Sequence, residues 1–363
     1  MLPVSRRNSE VDAEARSRVR FRDLLPGKDG ARYVTHTRCP TLRPERSAVQ
    51  DTIPVRGLHH VTATVAAAQG DLDFYGGVLG LRLIKKTVNF DNHNVYHFYY
   101  GNDRGDPGTL MTTFPYEGWG VRRGVQGAGQ ITVTSFSVPE ASLGLWRARL
   151  EGLGVNIELN GDRFGEEWIA LRDPSGLQIE LIANGHDERP GVAAGELPQG
   201  SAICGLYGIT MAIRDPSKTI AFLTEVLGWT VEQAAGDRTR LVVNGGGPGR
   251  IIDVLYARNA PESVNGLGTV HHVAMGVDDE ESQRAALEKL RGLDLAVTQV
   301  HDRQYFKSIY FREPGGVLYE IATLGPGFLV DEKLGELGRS LQLPPWEESN
   351  RESIERHLPS VRY

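Results

Sequence analysis

Two pairs of adjacent histidines occur in near-identical sequence contexts, and a carboxylate follows the second pair. His59 and His60 lie in GLHHVTATV, and His271 and His272 lie in TVHHVAMGV, 212 residues further along the chain. Glu320, in GGVLYEIAT, follows 48 residues after His272. Two imidazoles and one carboxylate form the ligand set that suits a redox-active divalent metal such as iron(II). These residues therefore predict a metalloenzyme.

The histidine strands belong to a sequence pattern that occurs four times. Each unit has a strand, an amphipathic helix and several further strands, over about 55 residues. We call these units modules one to four; they begin at Gly57, Gln130, Gly205 and Thr269. One helix and one short curved sheet cannot close a core alone, so modules should pair into half-barrels around cavities. The sequence predicts an α+β fold of four βαβββ modules forming two half-barrel domains.

Composition and linker signals divide the chain. The first fifty residues are rich in arginine and lack apolar periodicity, which indicates disorder, and their acidic residues disfavour an organelle-targeting segment. The segment after Phe328 either packs across a domain or stays mobile, and it carries no visible chemistry. We predict a disordered tail at 1–52, a two-module domain at 53–185, a linker at 186–202, a two-module domain at 203–328 and a C-terminal tail at 329–363.

Alignment of the four modules predicts which of them form the site. One first-strand position holds His60, Val133, Gly208 and His272, and one last-strand position holds Thr112, Glu180, Asp253 and Glu320. If sequence neighbours paired, neither cavity would contain two histidines. Pairing of module one with module four instead gathers His60, His272 and Glu320, with coordination positions left open. We therefore predict this pairing, with these three residues as the metal ligands.

Alternation along a strand predicts which histidine of each pair faces the cavity. His60 shares a face with Thr62, whereas His59 shares its face with apolar residues suited to contact a helix. The same alternation separates His272 from His271. The second histidine of each pair is therefore the predicted ligand.

The chain resembles the vicinal oxygen chelate superfamily over about residues 55 to 345. It is most similar there to ring-cleaving hydroquinone dioxygenases, through LHHVT, LRLIKKTVNFD, YHFYYG, PGTLMTTFP, HHVAMGV, DRQYFKSIYFREPGGVLYEIAT and LPPW. The resemblance implies the vicinal oxygen chelate fold and, independently of alternation, the second histidine of each pair as ligand. It implies Fe(II) as the metal, with Mn(II) as the other ion that fits.

The resemblance also implies roles around the metal. His59 and His271 would orient a ligand or relay a proton, and Tyr310 would hydrogen-bond a substrate or peroxo oxygen. We count Thr62 with them as a candidate catalytic residue. Each has a structural alternative, a hydrogen-bonded histidine at a strand end or simple cross-strand packing of a tyrosine. Whether Arg303 reaches the pocket is left open.

Other residue patterns are less specific. Phe306, Phe114 and Trp119 could form aromatic walls for a planar ring, although aromatic residues mostly fill cores. His93 and His97 form an HxxxH pattern, but in a strand residues four apart lie about 13 Å from each other, too far to bind one metal. GGGPG at Gly245 is better explained by a hairpin than by a phosphate loop.

Composition narrows the class of partner and the compartment. The chain has 363 residues, 40% of them hydrophobic and 24% charged, and a net charge of −6 without a basic stripe, so neither nucleic acid nor a membrane surface is expected as a partner. No apolar run of about 18 residues occurs, which disfavours secretion and membrane spanning. The cysteines, Cys39 and Cys204, lie far apart, which fits a reducing cytoplasm.

These observations predict an Fe(II)-dependent dioxygenase that opens the ring of hydroquinone-type aromatic diols with O2. Its partners would be the small diol and O2, together with a second copy of the chain if edge strands pair between subunits. A glyoxalase-like isomerase using nickel or zinc is one alternative, disfavoured because Thr112 occupies the position where such enzymes carry a carboxylate or amide. A non-catalytic binding protein is the other, and it would not need the three ligands.

Overall fold

The computed structural model of the protein describes residues 52–192 and 197–363. The tail predicted at 1–52 lies, except for Thr52, outside these ranges. Modules one and two contain, in chain order, β1 (Leu58–Val65), α1 (Ala68–Leu72) continued by a π-helical turn (Asp73–Val78), β2 (Arg82–Asn89), β3 (Asn92–Gly101), β4 (Leu110–Pro115), β5 (Gln130–Pro139), α2 (Leu143–Gly152), β6 (Leu159–Arg163), β7 (Glu166–Arg172) and β8 (Gln178–Asn184).

The second half of the chain repeats this order of elements. Modules three and four contain β9 (Gly205–Ile213), α3 (Pro216–Glu225), β10 (Thr230–Ala235), β11 (Arg238–Val242), β12 (Ile251–Tyr256), β13 (Thr269–Val277), α4 (Glu280–Gly292), β14 (His301–Asp302), β15 (Phe306–Arg312) and β16 (Leu318–Pro326), and α5 (Arg351–His357) follows. Short 3₁₀ turns lie at Glu140–Ser142, Gln199–Ser201, Phe328–Val330 and Glu348–Asn350. None of the helices in the described ranges is long and apolar enough to cross a membrane.

The strands form two eight-stranded sheets. The first has the order β14-β15-β16-β13-β1-β4-β3-β2 and combines modules one and four, and the second has the order β10-β11-β12-β9-β5-β8-β7-β6 and combines modules two and three. The first strands of paired modules run antiparallel at the centre of each sheet. The predicted pairing of module one with module four and the α+β half-barrel fold are both confirmed. The division into domains at 186–202 stays a prediction.

Local sequence signals fix where the helices begin and which face they bury. The carboxylate of Asp215 accepts a hydrogen bond from the backbone N–H of Ser217 at the start of α3, and Asp279 caps α4 in the same way. In α4, Ala286 and Leu290 are buried, and Gln283 donates a hydrogen bond to the backbone oxygen of Ile321 on β16. Because helix α4 covers one side of this sheet, the opposite, concave face is left for the cavity.

The segment after Phe328 covers the outer strand of module one. Leu341 bridges to Lys86 in parallel register, and the hydroxyl of Tyr363 accepts a hydrogen bond from the backbone N–H of Leu83 at 2.8 Å. Tyr96 donates to the backbone oxygen of Pro359 at 3.1 Å. The C-terminal segment therefore packs against strands β2 and β3, the first of the two behaviours expected from the sequence, and protects the edge strand β2.

Candidate metal centre and active-site cavity

Three buried side chains converge on the concave face of the first sheet. His60 on β1, His272 on β13 and Glu320 on β16 come from neighbouring strands. The Nε2 atoms of the two histidines lie 3.3 Å apart, and Oε2 of Glu320 lies 3.4 Å from that of His60 and 2.9 Å from that of His272. The structure thus brings together the three residues predicted as ligands.

The donor set has the dimensions that a divalent cation requires. Three ligands on one face of an octahedron, each about 2.1 Å from the ion, lie about 3 Å from one another. The three separations are close to this value, and the buried Oε2 of Glu320 makes no hydrogen bond despite its two close ring nitrogens. A cation between these atoms would explain why their lone pairs converge. The residues therefore fit a metal ion.

The carboxylate is held ionised and oriented. Burial by itself would raise the pKa of Glu320, but the adjacent rings of His60 and His272 hold the pKa well below its usual range. The other carboxylate oxygen, Oε1, accepts a hydrogen bond from the hydroxyl of Ser308 on β15. Burial lowers the pKa of His272, which favours the neutral ring that a metal ligand needs.

A β-bulge in each central strand places the two histidine pairs. His59 is an extra residue of β1 between the pairs Leu58–Met275 and His60–Ala274, and His271 is the corresponding extra residue of β13. A bulge interrupts the alternation of side chains between the two faces. Strict alternation places His59 and His271 on the helix-facing side; this expectation is wrong for His271, which lines the same cavity as His272, whereas His59 is not part of that lining.

In each pair, the ring of the first histidine contacts the ring of the second. Nδ1 of His59 lies 2.9 Å from Nδ1 of His60, and the corresponding distance between His271 and His272 is 2.7 Å. His59 also hydrogen-bonds the backbone of Thr323, so its Nδ1 can accept a hydrogen bond from Nδ1–H of His60, which leaves the lone pair of His60 Nε2 directed at the centre. Burial lowers the pKa of both His59 and His271 to about 3, so both rings are neutral.

The three residues lie at one side of a cavity of about 360 Å³. Aromatic side chains form much of its wall: Phe90, Tyr99, Phe114, Tyr116, Phe306 and Tyr310. Of the three aromatic residues considered from the sequence, Phe114 and Phe306 line the cavity, whereas Trp119 is 44% exposed and lies outside the lining. A mostly apolar cavity of this size beside the cluster suits a small aromatic ring.

Tyr310 and Arg303 form the polar part of the module-four wall. Tyr310 pairs with Glu320 across the strands, and its ring lies 5.6 Å from that of His272. Nε of Arg303 donates a hydrogen bond to the hydroxyl of Tyr310 at 3.2 Å. Arg303 also lines the cavity, so it does reach the pocket, which the sequence left open. Burial raises the pKa of Tyr310, so its hydroxyl keeps its proton and can donate it in a hydrogen bond.

In module one, Thr112 occupies the last-strand position that the carboxylate Glu320 holds in module four. Oγ1 of Thr112 lies 2.7 Å from Oγ1 of Thr62, the candidate catalytic threonine, and 2.9 Å from Nε2 of His97. Thr62 is fully buried and does not itself line the cavity. His97 and Tyr99 do line it, and sequence reasoning assigned neither a role. Strand alternation was the signal available, because both residues share the face of β3 that lies next to Thr112.

The second half-barrel has the equivalent first-strand and last-strand positions, but its described residues form no group that could hold a metal ion. Glu180 and Asp253 replace the ligand carboxylate, and arginines neutralise them: Arg163 reaches Glu180 at 2.6 Å, and Arg240 reaches Asp253 at 2.8 Å. A Cβ atom added at Gly208, the position equivalent to a ligand histidine, would lie 2.8 Å from a backbone oxygen of Ile251. The cavity there measures only about 10 Å³. The second half-barrel is therefore filled by ion pairs.

Paired βαβββ modules, with two histidines and a carboxylate that could hold a metal ion on the concave face of one pair, define a half-barrel protein of the vicinal oxygen chelate type. The sequence profile of the Glyoxalase/Bleomycin resistance protein/Dioxygenase superfamily matches residues 57–181 and 206–321. The chain belongs to this superfamily.

Comparisons with individual proteins agree with that assignment. The chain is 42% identical to MhqE of Bacillus subtilis (strain 168), named as a ring-cleaving dioxygenase, over 84% of this chain and 99% of that one. It is 33% identical to the chlorohydroquinone/hydroquinone 1,2-dioxygenase of Sphingobium indicum, over 84% and 96% of the two chains. A crystal structure of a Bacillus subtilis protein named as a dioxygenase matches with a TM-score of 0.81 and 40% identity, over 85% and 98%. The resemblance identified from the sequence is confirmed.

Proposed function

We propose that this protein is a metal-dependent dioxygenase that opens the ring of a hydroquinone-type aromatic diol with O2. The observation that carries the proposal is the cluster of His60, His272 and Glu320 at the side of a small aromatic cavity. Three protein ligands on one face leave coordination positions for two further molecules, as a reaction between a diol and O2 requires. The relative named as a chlorohydroquinone/hydroquinone 1,2-dioxygenase supports the same substrate class.

Iron(II) is the ion that we propose for the cluster, and Mn(II) also fits two imidazoles and a carboxylate. When bound, iron(II) would lower the pKa of a coordinated diol hydroxyl and let an electron pass from the ring to O2. The protein supplies the ligands in the required protonation states. His272 is kept neutral by burial, and Glu320 is kept ionised by its histidine neighbours.

The remaining polar residues hold the reactants. The protonated hydroxyl of Tyr310, fixed by Arg303, would donate a hydrogen bond to a substrate oxygen in the cavity. His59 and His271 act through their contacts with His60 and His272, because a held Nδ1 fixes the direction in which Nε2 points. The aromatic walls exclude water, which strengthens each of these polar contacts.

A para-diol is favoured over an ortho-diol by the polar groups around the cavity. An ortho-diol places both oxygens next to the metal, whereas a para-diol needs polar partners further away on the cavity wall. Asn89, Thr298 and His301 line the cavity outside the metal cluster and provide such partners. Addition of both atoms of O2 across one ring bond, beside a hydroxyl, would give a ring-opened semialdehyde that carries an acid group.

The test is anaerobic loading with iron(II), followed by measurement of O2 consumption with hydroquinone and with catechol. We expect one O2 consumed per hydroquinone and a slower reaction with catechol. A faster reaction with catechol would overturn the para-diol assignment alone. No O2 uptake with either diol, together with nickel-dependent isomerisation of a thiol–aldehyde adduct, would replace the proposal by a glyoxalase-like activity.

A further inference from the structure

His97 is a histidine that lines the cavity but lies outside the metal cluster. It lies on β3, and its ring is partly buried and lines the cavity from the module-one side, whereas Tyr310 lines it from the module-four side. The ligand group found among residues 52–192 and 197–363 consists of His60, His272 and Glu320 and does not include His97. His97 is therefore available for a role other than metal binding.

Its ring is held in one orientation by neighbours on three sides. The rings of Tyr99 and Phe114 lie 4.0 and 4.3 Å from it, centre to centre. Nε2 is engaged with the hydroxyl of Thr112 at 2.9 Å, and that hydroxyl contacts Thr62 at 2.7 Å. No side chain or backbone group of the described residues forms a hydrogen bond with Nδ1. A partly buried, fixed imidazole with one unused nitrogen therefore lies in the wall of the cavity.

We propose that His97 binds the substrate, with Nδ1 forming a hydrogen bond to a hydroxyl of the bound diol. The proposal rests on the proposed function, whose substrate supplies that hydroxyl. A neutral imidazole donates from one nitrogen and accepts at the other. The Thr112 hydroxyl can rotate either to donate to Nε2 or to accept from it, so Nδ1 can act as donor or acceptor toward the substrate. Thr112 thereby connects Thr62 to substrate binding without contacting the substrate.

The same arrangement explains why a threonine, Thr112, occupies the last-strand position of module one. A carboxylate at Thr112 would direct negative charge at the metal and occupy a coordination position. The hydroxyl instead forms hydrogen bonds on both sides with Thr62 and His97. One face of the centre is thus kept open, and Thr112 supports a substrate contact.

The experiment compares the iron-loaded variants His97→Phe, His97→Gln, Thr112→Val and His93→Phe with the wild-type protein. Phe keeps the planar ring between Tyr99 and Phe114 but cannot form either hydrogen bond, whereas Gln retains a donor and an acceptor. His93 is the matched control, because it lies four residues earlier on the same strand and is exposed. Three quantities are measured: iron content, the KM and kcat for hydroquinone from O2 uptake, and anaerobic hydroquinone binding by calorimetry.

We expect His97→Phe to keep its iron and to weaken hydroquinone binding and raise KM by about 10- to 100-fold, as for the loss of one buried hydrogen bond. His97→Gln should recover most of this loss, Thr112→Val should show a smaller increase in KM, and His93→Phe should match the wild type. Unchanged binding in His97→Phe would overturn the proposal, and so would loss of iron, because His97 would then support the metal ligands. Failure of the proposed function is distinguishable, since the wild-type protein would then consume no O2.

Discussion

Arg303 of module four and Asp91 of module one form an ion pair across the cavity, with 3.1 Å between Nη2 and Oδ2. The same guanidinium donates from Nε to the hydroxyl of Tyr310. The Asp91 side chain is 69% exposed, so the pair itself contributes little to folding stability. Its effect is on the position of Tyr310, because Arg303 can hold that hydroxyl only while its own side chain is fixed.

Substitution of this pair should therefore change catalysis more than stability. We expect Arg303→Met to lower kcat/KM for hydroquinone by about 10- to 100-fold, and Asp91→Asn to lower it by a smaller factor, with unfolding free energies within about 1 kcal/mol of wild type for Asp91→Asn. Asp302→Asn, next to Arg303 but outside the pair, is the control. Equal kinetics for Arg303→Met and wild type would show that Tyr310 does not depend on this contact.

Removal of a ligand should remove the metal. We expect His272→Ala and Glu320→Ala to lose most of the iron that the wild-type protein retains after desalting, because two protein ligands bind far more weakly than three. His301→Ala, which changes a cavity histidine outside the cluster, should keep its iron. Iron content is measured by elemental analysis, with circular dichroism to verify the fold. Wild-type iron content in His272→Ala would contradict the proposed ligand set.

The ion pairs of the second half-barrel should matter for stability and not for the metal. Arg240 is 3% exposed and contacts Asp253, Glu166 and Tyr207. Arg240→Met leaves buried carboxylates with fewer cations, and we expect a loss of about 3 kcal/mol in the free energy of unfolding. Urea denaturation checks this value against Arg258→Met, an exposed control. Iron content should be unchanged, and a drop would mean that the two half-barrels are coupled.

Asp71 makes stability depend on pH in a defined direction. Burial raises the pKa of Asp71 to about 7, and its Oδ2 accepts hydrogen bonds from Tyr100 and Thr113 while Oδ1 has no partner. A carboxyl whose pKa is higher in the folded state binds a proton on folding, so its ionisation reduces stability as pH rises from about 4 to about 7. We expect Asp71→Asn to raise the unfolding free energy above pH 7, by up to about 4 kcal/mol.

The measurement for Asp71 is urea denaturation of both proteins between pH 4 and pH 8. Most of the gain should be lost at pH 4, where the wild-type carboxyl is protonated in the folded state and only about half ionised in the unfolded state. A constant difference across this range would show that the substitution acts through packing and not through ionisation.

The sequence predicted the repeat and its pairing because these depend on residue types at equivalent positions. His60 pairs with Ala274 and Glu320 pairs with the same alanine, as the alignment of the four modules requires. The bulges at His59 and His271 could not be predicted, because a bulge depends on the register of two strands that are distant in sequence. The position of Arg303 depends likewise on Asp91, 212 residues away.

His97 was missed for a different reason. The HxxxH pattern of His93 and His97 suggests two metal ligands on one helix, and that interpretation was rightly rejected for the pair. Once Thr112 was assigned to the cavity face, the pairing of β3 with β4 would have brought His97 and Tyr99 to the same face. That step requires the strand register, which alignment of the four modules provides only for the first and last strands of each module.

The order of the modules has a consequence for synthesis on the ribosome. Modules two and three are consecutive, so their sheet can close while module four is still being translated. Strand β1 must wait for β13, and the intervening stretch of roughly 200 residues takes roughly 10 to 40 s to translate. During that interval β1 can pair with β4 on one side only, and its other side is an open edge of the kind that recruits other chains. A polypeptide released before module four is complete would therefore be both inert and prone to aggregation.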